Sequence, residues 1–366
     1  MERPIFKNIG TAAEDLDPSS LVVDIGALEA NIATMHSYFE ALDVKLRPHV
    51  DSHLCPAIAH MQLGASGTVA GIGTTTLGQA ETFVQAGFTD VFVTNVVVSA
   101  QKIARLCALS RQAKMTITVD NQTNVRDLSA SAVQKGVTLN VAIDVDTSLH
   151  RFGVGPGGPA VELAKTIVNA ESLEFAGLTT YEGKMFEKDT EAIATESRKA
   201  IQQVLDTRQD IEKLGIDVEM VSVGGTCNYE IAAGMSGVTE VPAGTYALMD
   251  GRYRSHCPQF QPAAHILGIV VSTPEDGIAI MDAGGKTIGA DIGQPTVENI
   301  PGVTVRSLSA EHGNLVLSEE GVSVGDKVWV LPWDVGLAFN LHDYAQVVRD
   351  GRLESVWDLP ARGRYR

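Results

Sequence analysis

From about residue 20 to residue 250 the chain repeats one pattern: a short β-branched apolar run, a turn, then a longer amphipathic stretch. The apolar runs are LVVDI (21–25), VKLRPHV (44–50), GTVAGIG (67–73), DVFVTNV (90–96), MTITVD (115–120), LNVAIDV (139–145), FAGLTTY (175–181) and MVSVGGT (220–226). The stretches between them, such as ALEANIATMHSYFEAL and GPAVELAKTIVNAE, have helical spacing. Strands joined through helices run parallel, and near-continuous apolar strands are buried on both faces. Such units close into a (β/α)8 TIM-type barrel. An open doubly wound sheet is the alternative that the same pattern leaves.

After about 250 the pattern changes to strand–turn–strand text with Gly and Asp turns and no long helix, as in AAHILGIVVSTPEDGIAIMDAGG. The expected fold class is therefore α/β, with the barrel over 20–250 followed by a C-terminal antiparallel β domain. Barrel enzymes place their chemistry at the C-terminal ends of the strands, so polar groups there are the first candidates.

The chain has 366 residues, 44% hydrophobic and 20% charged, enough apolar material for a large core. A net charge of −17 repels nucleic acid and anionic membrane, which leaves a small molecule as the expected partner. Cys55, Cys107, Cys227 and Cys257 are widely separated and form no CxxC pair, so neither a zinc knuckle nor a disulfide framework is indicated. No apolar leader segment or membrane-length run is found, and the expected location is the cytoplasm.

At the end of the second strand, RPHVDSHLCP carries His49, Asp51 and His53 at alternate positions. In an extended chain they share a face, and two imidazoles with a carboxylate suit a divalent metal such as Mg, Mn or Zn. The same groups also make an acid/base couple. After the eighth run, VSVGGT offers Ser222, Gly224, Gly225 and Thr226 as an anion cradle built from backbone N–H groups and hydroxyls. Arg151 follows the sixth run and faces either a ligand ring or carboxylate, or its neighbours Asp144 and Asp146. Tyr181, Glu182 and Lys184 close the seventh run, with Lys184 a candidate amine. Asp334 follows Trp333 in a polar break of the β domain. GVGPGG (153–158) fits GxGxxG only formally, because prolines interrupt it.

Taken in order, LRPHVDSHLCP, GTTTLGQAE, DVDTSLHRFGV, YEG, VGGTCNYE, EVPAGTYALMD, MDAGGKTIG and LPWDVGLAFNL resemble the D-threonine aldolase / D-serine dehydratase family of alanine-racemase-like, fold-type III pyridoxal phosphate (PLP) enzymes. The resemblance implies that residues 1–19 join 251–366 in the β domain, and that the protein is a homodimer. It implies a cofactor-side role for Arg151, and a phosphate-binding role for the VGGT turn together with Tyr246.

The family motif at strand two is Pro-His-x-Lys-Thr-His-Lys, whose first lysine forms the PLP imine. Pro48, His49 and His53 match it, but Asp51 stands at that lysine and Leu54 at the second. An aspartate forms no imine, so covalent PLP at position 51 is excluded. Non-covalent PLP, or an imine on Lys184, stays open. The family's C-terminal metal pair falls on Asp334 and Gly336. The expectation is a lyase of aldolase or dehydratase type acting on a small hydroxy acid or β-hydroxy amino acid without a PLP–lysine imine. It would be assisted by a metal on His49, Asp51, His53 or Asp334, with Lys184, Tyr181 or a histidine moving the proton. The alternatives are a PLP-dependent D-amino-acid lyase and a non-catalytic binder of PLP or another small ligand.

Overall fold

The computed structural model describes residues 6–69, 71–182, 189–318 and 321–365. The chain divides into two compact units. One takes the residues up to 34 with 52–57 and 245–363; the other takes 35–51, 58–244 and the residues from 364. Along the chain β1 (Ser20–Asp24) and α1 (Ile25–Glu40) come first.

The second unit is built from β2 (Lys45–Pro48), α2 (Pro56–Gly64), β3 (Ile72–Thr74), α3 (Leu77–Gln85), β4 (Asp90–Val96), α4 (Ala100–Leu109), β5 (Lys114–Val119), α5 (Gln122–Lys135), β6 (Leu139–Asp144), α6 (Gly158–Val168), β7 (Leu173–Thr179), α7 (Thr190–Glu212), β8 (Met220–Ser222), α8 (Tyr229–Ala233) and β9 (Glu240–Ala243). Its eight strands are parallel, in the order β2-β9-β8-β7-β6-β5-β4-β3. Parallel bridges Leu46–Thr68 and His49–Gly73 link the β2 segment to the β3 segment, so the sheet is a nearly closed barrel. The strands owe their place to long buried runs: in β5 all but Lys114 are buried, and in β6 all but Asn140. The helices start where the sequence supplies caps. The Thr76 hydroxyl accepts from Gln79 N and opens α3, Ser99 opens α4 and Asn121 opens α5. Gly136, left-handed at φ 63°, ends α5.

The other unit holds β10 (Ala264–Glu275), β11 (Ile278–Met281), α9 (Gly285–Ile288), β12 (Thr296–Val297), β13 (Val303–Leu308), β14 (Gly313–Leu317), β15 (Lys327–Leu331), α10 (Val335–Asn340), β16 (Tyr344–Arg349) and β17 (Arg352–Asp358). The sheet order is β13-β14-β11-β10-β1-β16-β17, with β15 beside β10 and β12 beside β15. Every pairing is antiparallel except β1 with β16. Ala13, Leu16, Val22, Leu267, Val348 and Leu353 form a core there, with Trp329 and Val356 against it.

Two expectations are corrected. LVVDI does not open the barrel: β1 pairs with β10 and β16 in the antiparallel sheet. A buried apolar run reports that both faces are covered and not which strand lies alongside. The eighth barrel strand is β9 instead, EVPA at 240–243, too short and too proline-marked to show strand periodicity.

Candidate active site

β2 stops at Pro48, and Val50–Ser52 form a single 3-10 turn. The extended alternation that would align His49, Asp51 and His53 therefore ends one residue after the strand, and each side chain meets a different partner. His49 keeps its backbone N–H on the Ala243 carbonyl at 2.9 Å. Its ring lies against Gly73, where an added Cβ would stand 2.7 Å from His49 Cδ2, so only glycine leaves room. His49 Nε2 is 3.0 Å from Thr94 Oγ1, and that hydroxyl donates to the Thr74 carbonyl at 3.1 Å. The Thr94 proton is thus committed, and its free lone pair receives Nε2–H. The tautomer that follows leaves Nδ1 as the basic nitrogen. Burial pushes the His49 pKa down, against a smaller upward pull from Asp51, so the ring is neutral at pH 7.

Asp51 is exposed, and its Oδ1 accepts from Gln79 Nε2 at 2.9 Å. His53, Tyr246 and Asp334 fall in the other unit. His53 is fully buried, and its Nδ1 accepts from Cys55 N at 3.1 Å. Tyr246 is fully buried in the turn Thr245–Ala247, its ring 5.9 Å from Phe260. Asp334 caps α10 through Leu337 N at 3.0 Å and pairs with Arg252 at 3.1 Å. Beside it, burial and the Asp334 charge push Asp250 up to about 7. Among the described residues no group of three or more His, Cys, Asp or Glu side chains is placed to hold a metal ion. The expected ligand set of His49, Asp51, His53 and Asp334 is not among such groups in the described residues.

The glycine turn after β8 also differs from the expected open cradle. Gly224 is left-handed, at φ 88°, and an added Cβ would lie 2.8 Å from Ala232 Cβ, so the turn needs glycine. Its two glycine N–H groups, however, are already used. Gly225 N donates to Asn228 Oδ1 at 2.8 Å, and the Gly224 N–H faces the Glu182 carboxyl. Burial pushes Glu182 up to about 7, against the ionising effect of its own N–H, the Asn228 amide and the Gly224 N–H. Glu182 Oε1 and Ser222 Oγ are buried with no hydrogen-bond partner. Thr226 is 5% exposed. Tyr181, 40% exposed, brings Cε2 to 3.7 Å from the position of a Cβ on Gly225. Lys184 lies outside the described residues.

At the end of β6, Arg151 stacks on its neighbour Phe152, 4.6 Å from the ring centroid, and makes no ion pair among the described residues. Asp146 bonds His150 instead, at 2.9 Å. Burial pushes Asp144 up to about 7, with Arg151 opposing the shift and Asp120 and Asp146 adding to it.

Comparison with known proteins gives this geometry its relatives. The alanine racemase N-terminal domain model matches residues 23–250, and the putative serine dehydratase domain matches 263–348. A D-threonine aldolase from Arthrobacter sp. is 36% identical over 95% of this chain and 93% of its own length. The chain belongs to the D-threonine aldolase / D-serine dehydratase family. A 3-hydroxy-D-aspartate aldolase from Paracoccus denitrificans is 33% identical over 97% of this chain and 94% of its own. The crystal structure of D-threonine aldolase from Filomicrobium marinum superposes with a TM-score of 0.94 at 33% identity, covering 98% of this chain and 99% of that one. These relatives are lyases by name. The fold is that of the alanine-racemase-like members of the family.

Measured against the PLP that the family resemblance implies, position 51 does not fit an imine. Position 51 offers a carboxylate where an imine needs an amine, while at the glycine turn the Gly224 and Gly225 N–H groups face Glu182 and Asn228. Sequence reading missed Thr94 and Gln79. Both sit at positions typical of barrel hydroxyls and helix caps, and only their contacts with His49 and Asp51 give them a role.

Proposed function

We propose that the chain is a lyase of the aldolase or dehydratase kind acting on a small hydroxy acid or β-hydroxy amino acid, and that it works without an imine at position 51. The observation that carries this reading is the 36% identity with a D-threonine aldolase, held across both units of the fold. In a retro-aldol cleavage the β-hydroxyl loses its proton, the Cα–Cβ bond breaks, an aldehyde leaves and Cα is protonated. His49, neutral and fixed through Nε2, supplies Nδ1 as the acceptor for the hydroxyl proton. Arg151, exposed and free of ion pairs among the described residues, is the group for the substrate carboxylate. Glu182, at about 7, holds a proton for return to carbon near neutral pH.

The test is turnover by the purified chain on D-threonine and 3-hydroxy-D-aspartate. Aldehyde, glycine and ammonia are followed, together with an absorption spectrum. The expected result is product formation that His49→Ala reduces at least about 100-fold, with no borohydride-trappable pyridoxal chromophore in the native chain. Asp51→Lys should acquire that chromophore when PLP is added. Absence of turnover on both compounds would sink the lyase reading. A second reading, a non-catalytic small-ligand binder, is favoured by the acid at position 51 and is distinguished by binding without product.

A further inference from the structure

Asp51 is held by a fixed donor and lacks a counter-ion among the described residues. Gln79 Oε1 accepts from the N–H groups of Thr75 at 2.9 Å and Thr76 at 3.3 Å, inside the capping box of α3. Those two donors fix which way the Gln79 amide faces, so its Nε2 is committed to Asp51 Oδ1. The second oxygen, Oδ2, has no hydrogen-bond donor among the described residues. No Lys, Arg or His among them lies within ion-pair distance of the Asp51 carboxylate.

The surroundings favour the same kind of guest. The chain at 364–365 lies alongside: Thr76 Oγ1 donates to the Arg364 carbonyl at 2.6 Å, and Lys102 Nζ to that of Tyr365 at 3.4 Å. Burial and the Asp51 charge push the Tyr365 phenol up, which places that ring within the electrostatic reach of Asp51. At the end of β7, Glu182 Oε1 is a second buried acceptor without a donor. The glycine turn has already spent its N–H groups on side chains of this chain. Asp51 Oδ2 and Glu182 Oε1 are thus acceptors without donors among the described residues.

We infer that Asp51 binds the ammonium group of the ligand, so that the chain takes a free β-hydroxy amino acid as its zwitterion. The α-ammonium sits on Oδ2, unconverted to an imine. The inference rests on the lyase reading for its substrate class and narrows it, since a hydroxy acid lacking the amine has nothing to offer Asp51. A site built around a charged hydrogen bond discriminates strongly against the analogue that lacks it.

The experiment is calorimetric titration of the full chain at pH 7 with D-threonine, with 3-hydroxy-D-aspartate, and with 3-hydroxybutyrate, which is threonine without its amine. Native protein and Asp51→Asn are compared; the amide keeps the size of the side chain and an acceptor for Gln79, and far-UV circular dichroism checks that the variant is folded. The expected result is binding of an amino acid at least about 10-fold tighter than 3-hydroxybutyrate. In Asp51→Asn the amino-acid affinity should fall by about the same factor, and that of 3-hydroxybutyrate should hold or rise. The inference is overturned if neither amino acid binds the native chain, if 3-hydroxybutyrate binds as tightly, or if Asp51→Asn leaves amino-acid affinity unchanged. Asp51-dependent binding of an amino acid that is neither cleaved nor dehydrated would instead sink the lyase reading and leave the ammonium site standing.

Discussion

Thr94 stands one contact from the chemistry and governs it through His49. Because its hydroxyl donates to the Thr74 carbonyl, the only hydrogen bond it offers the ring is an acceptor, and this assigns the proton to Nε2. Replacing it by the isosteric Thr94→Val removes that acceptor and leaves Nε2–H unsatisfied. The neutral ring then populates both tautomers, which long-range proton–nitrogen NMR on ¹⁵N-histidine protein reads directly. Activity should fall about 10-fold, the size of one net hydrogen bond. Thr94→Ser, which keeps the hydroxyl, should restore both the tautomer signature and most of the rate. An unchanged nitrogen spectrum in Thr94→Val would remove this positioning role. No residue count or spacing marks Thr94 in the sequence. It is one threonine of a β-branched strand, and its role comes from a neighbour 45 positions away.

Among the elements, β2, β4 and β9 are tied by one arginine. Arg47, 7% exposed, binds Glu240 with two nitrogens at 2.7 and 2.8 Å and Asp90 with a third at 2.9 Å. Glu240 opens β9 and is 4% exposed, so its charge has no recourse to water. Arg47→Ala strands that buried carboxylate and should cost about 3–5 kcal/mol in urea unfolding. Arg47→Met with Glu240→Leu, which removes both charges and fills the volume, should recover much of the loss. If the single and double variants unfold at the same urea concentration, the cost lies in lost packing and not in the stranded charge. The same elements show how far pattern reading reaches. Seven of the barrel strands lie at or near apolar runs visible in the sequence, because burial on both faces demands them. β9 was invisible because four residues containing Pro242 carry no period, and its neighbours β2 and β8 define it. β1 was misplaced for the converse reason: its apolar run is satisfied equally well by either sheet.

Across the whole molecule, the pH dependence of stability follows from groups buried against their preferred charge. Asp144, Glu182 and Asp250 are pushed up to about 7 from ordinary values of 3.8, 4.5 and 3.8. Each retains a proton in the fold that the unfolded chain has released, so its contribution is full below about pH 4 and is lost as pH rises through 7. His36, pushed down to about 4 by burial, works the other way, as do His49 and His342. They are neutral in the fold, and their contribution is lost as pH falls below 6.5. Between about pH 4.5 and 6.5 the two sets oppose each other, which flattens the dependence. Above 6.5 the histidine contribution saturates while the carboxyls go on ionising, and unfolding free energy should drop by about 1 kcal/mol between pH 6.5 and 8. Self-repulsion from the net charge of −17 acts in the same direction. Urea unfolding at half-unit pH steps checks this; a rise in stability from pH 6.5 to 8 would mean that these carboxyls are ionised in the fold.

The sequence by itself determined the α/β class, the parallel barrel followed by an antiparallel domain, the family, and the acid at position 51 that forbids an imine there. These follow from periodicity, composition and residue chemistry, which are written locally along the chain. Tertiary structure alone decided that His49, Asp51 and His53 part company after Pro48, that Glu182 and Asn228 occupy the glycine turn, and that Gln79 clamps Asp51 with Tyr365 alongside. Hydrogen-bond donors and acceptors pair with whatever the fold brings within about 3 Å, and that proximity is a property of the closed barrel, not of spacing along the chain.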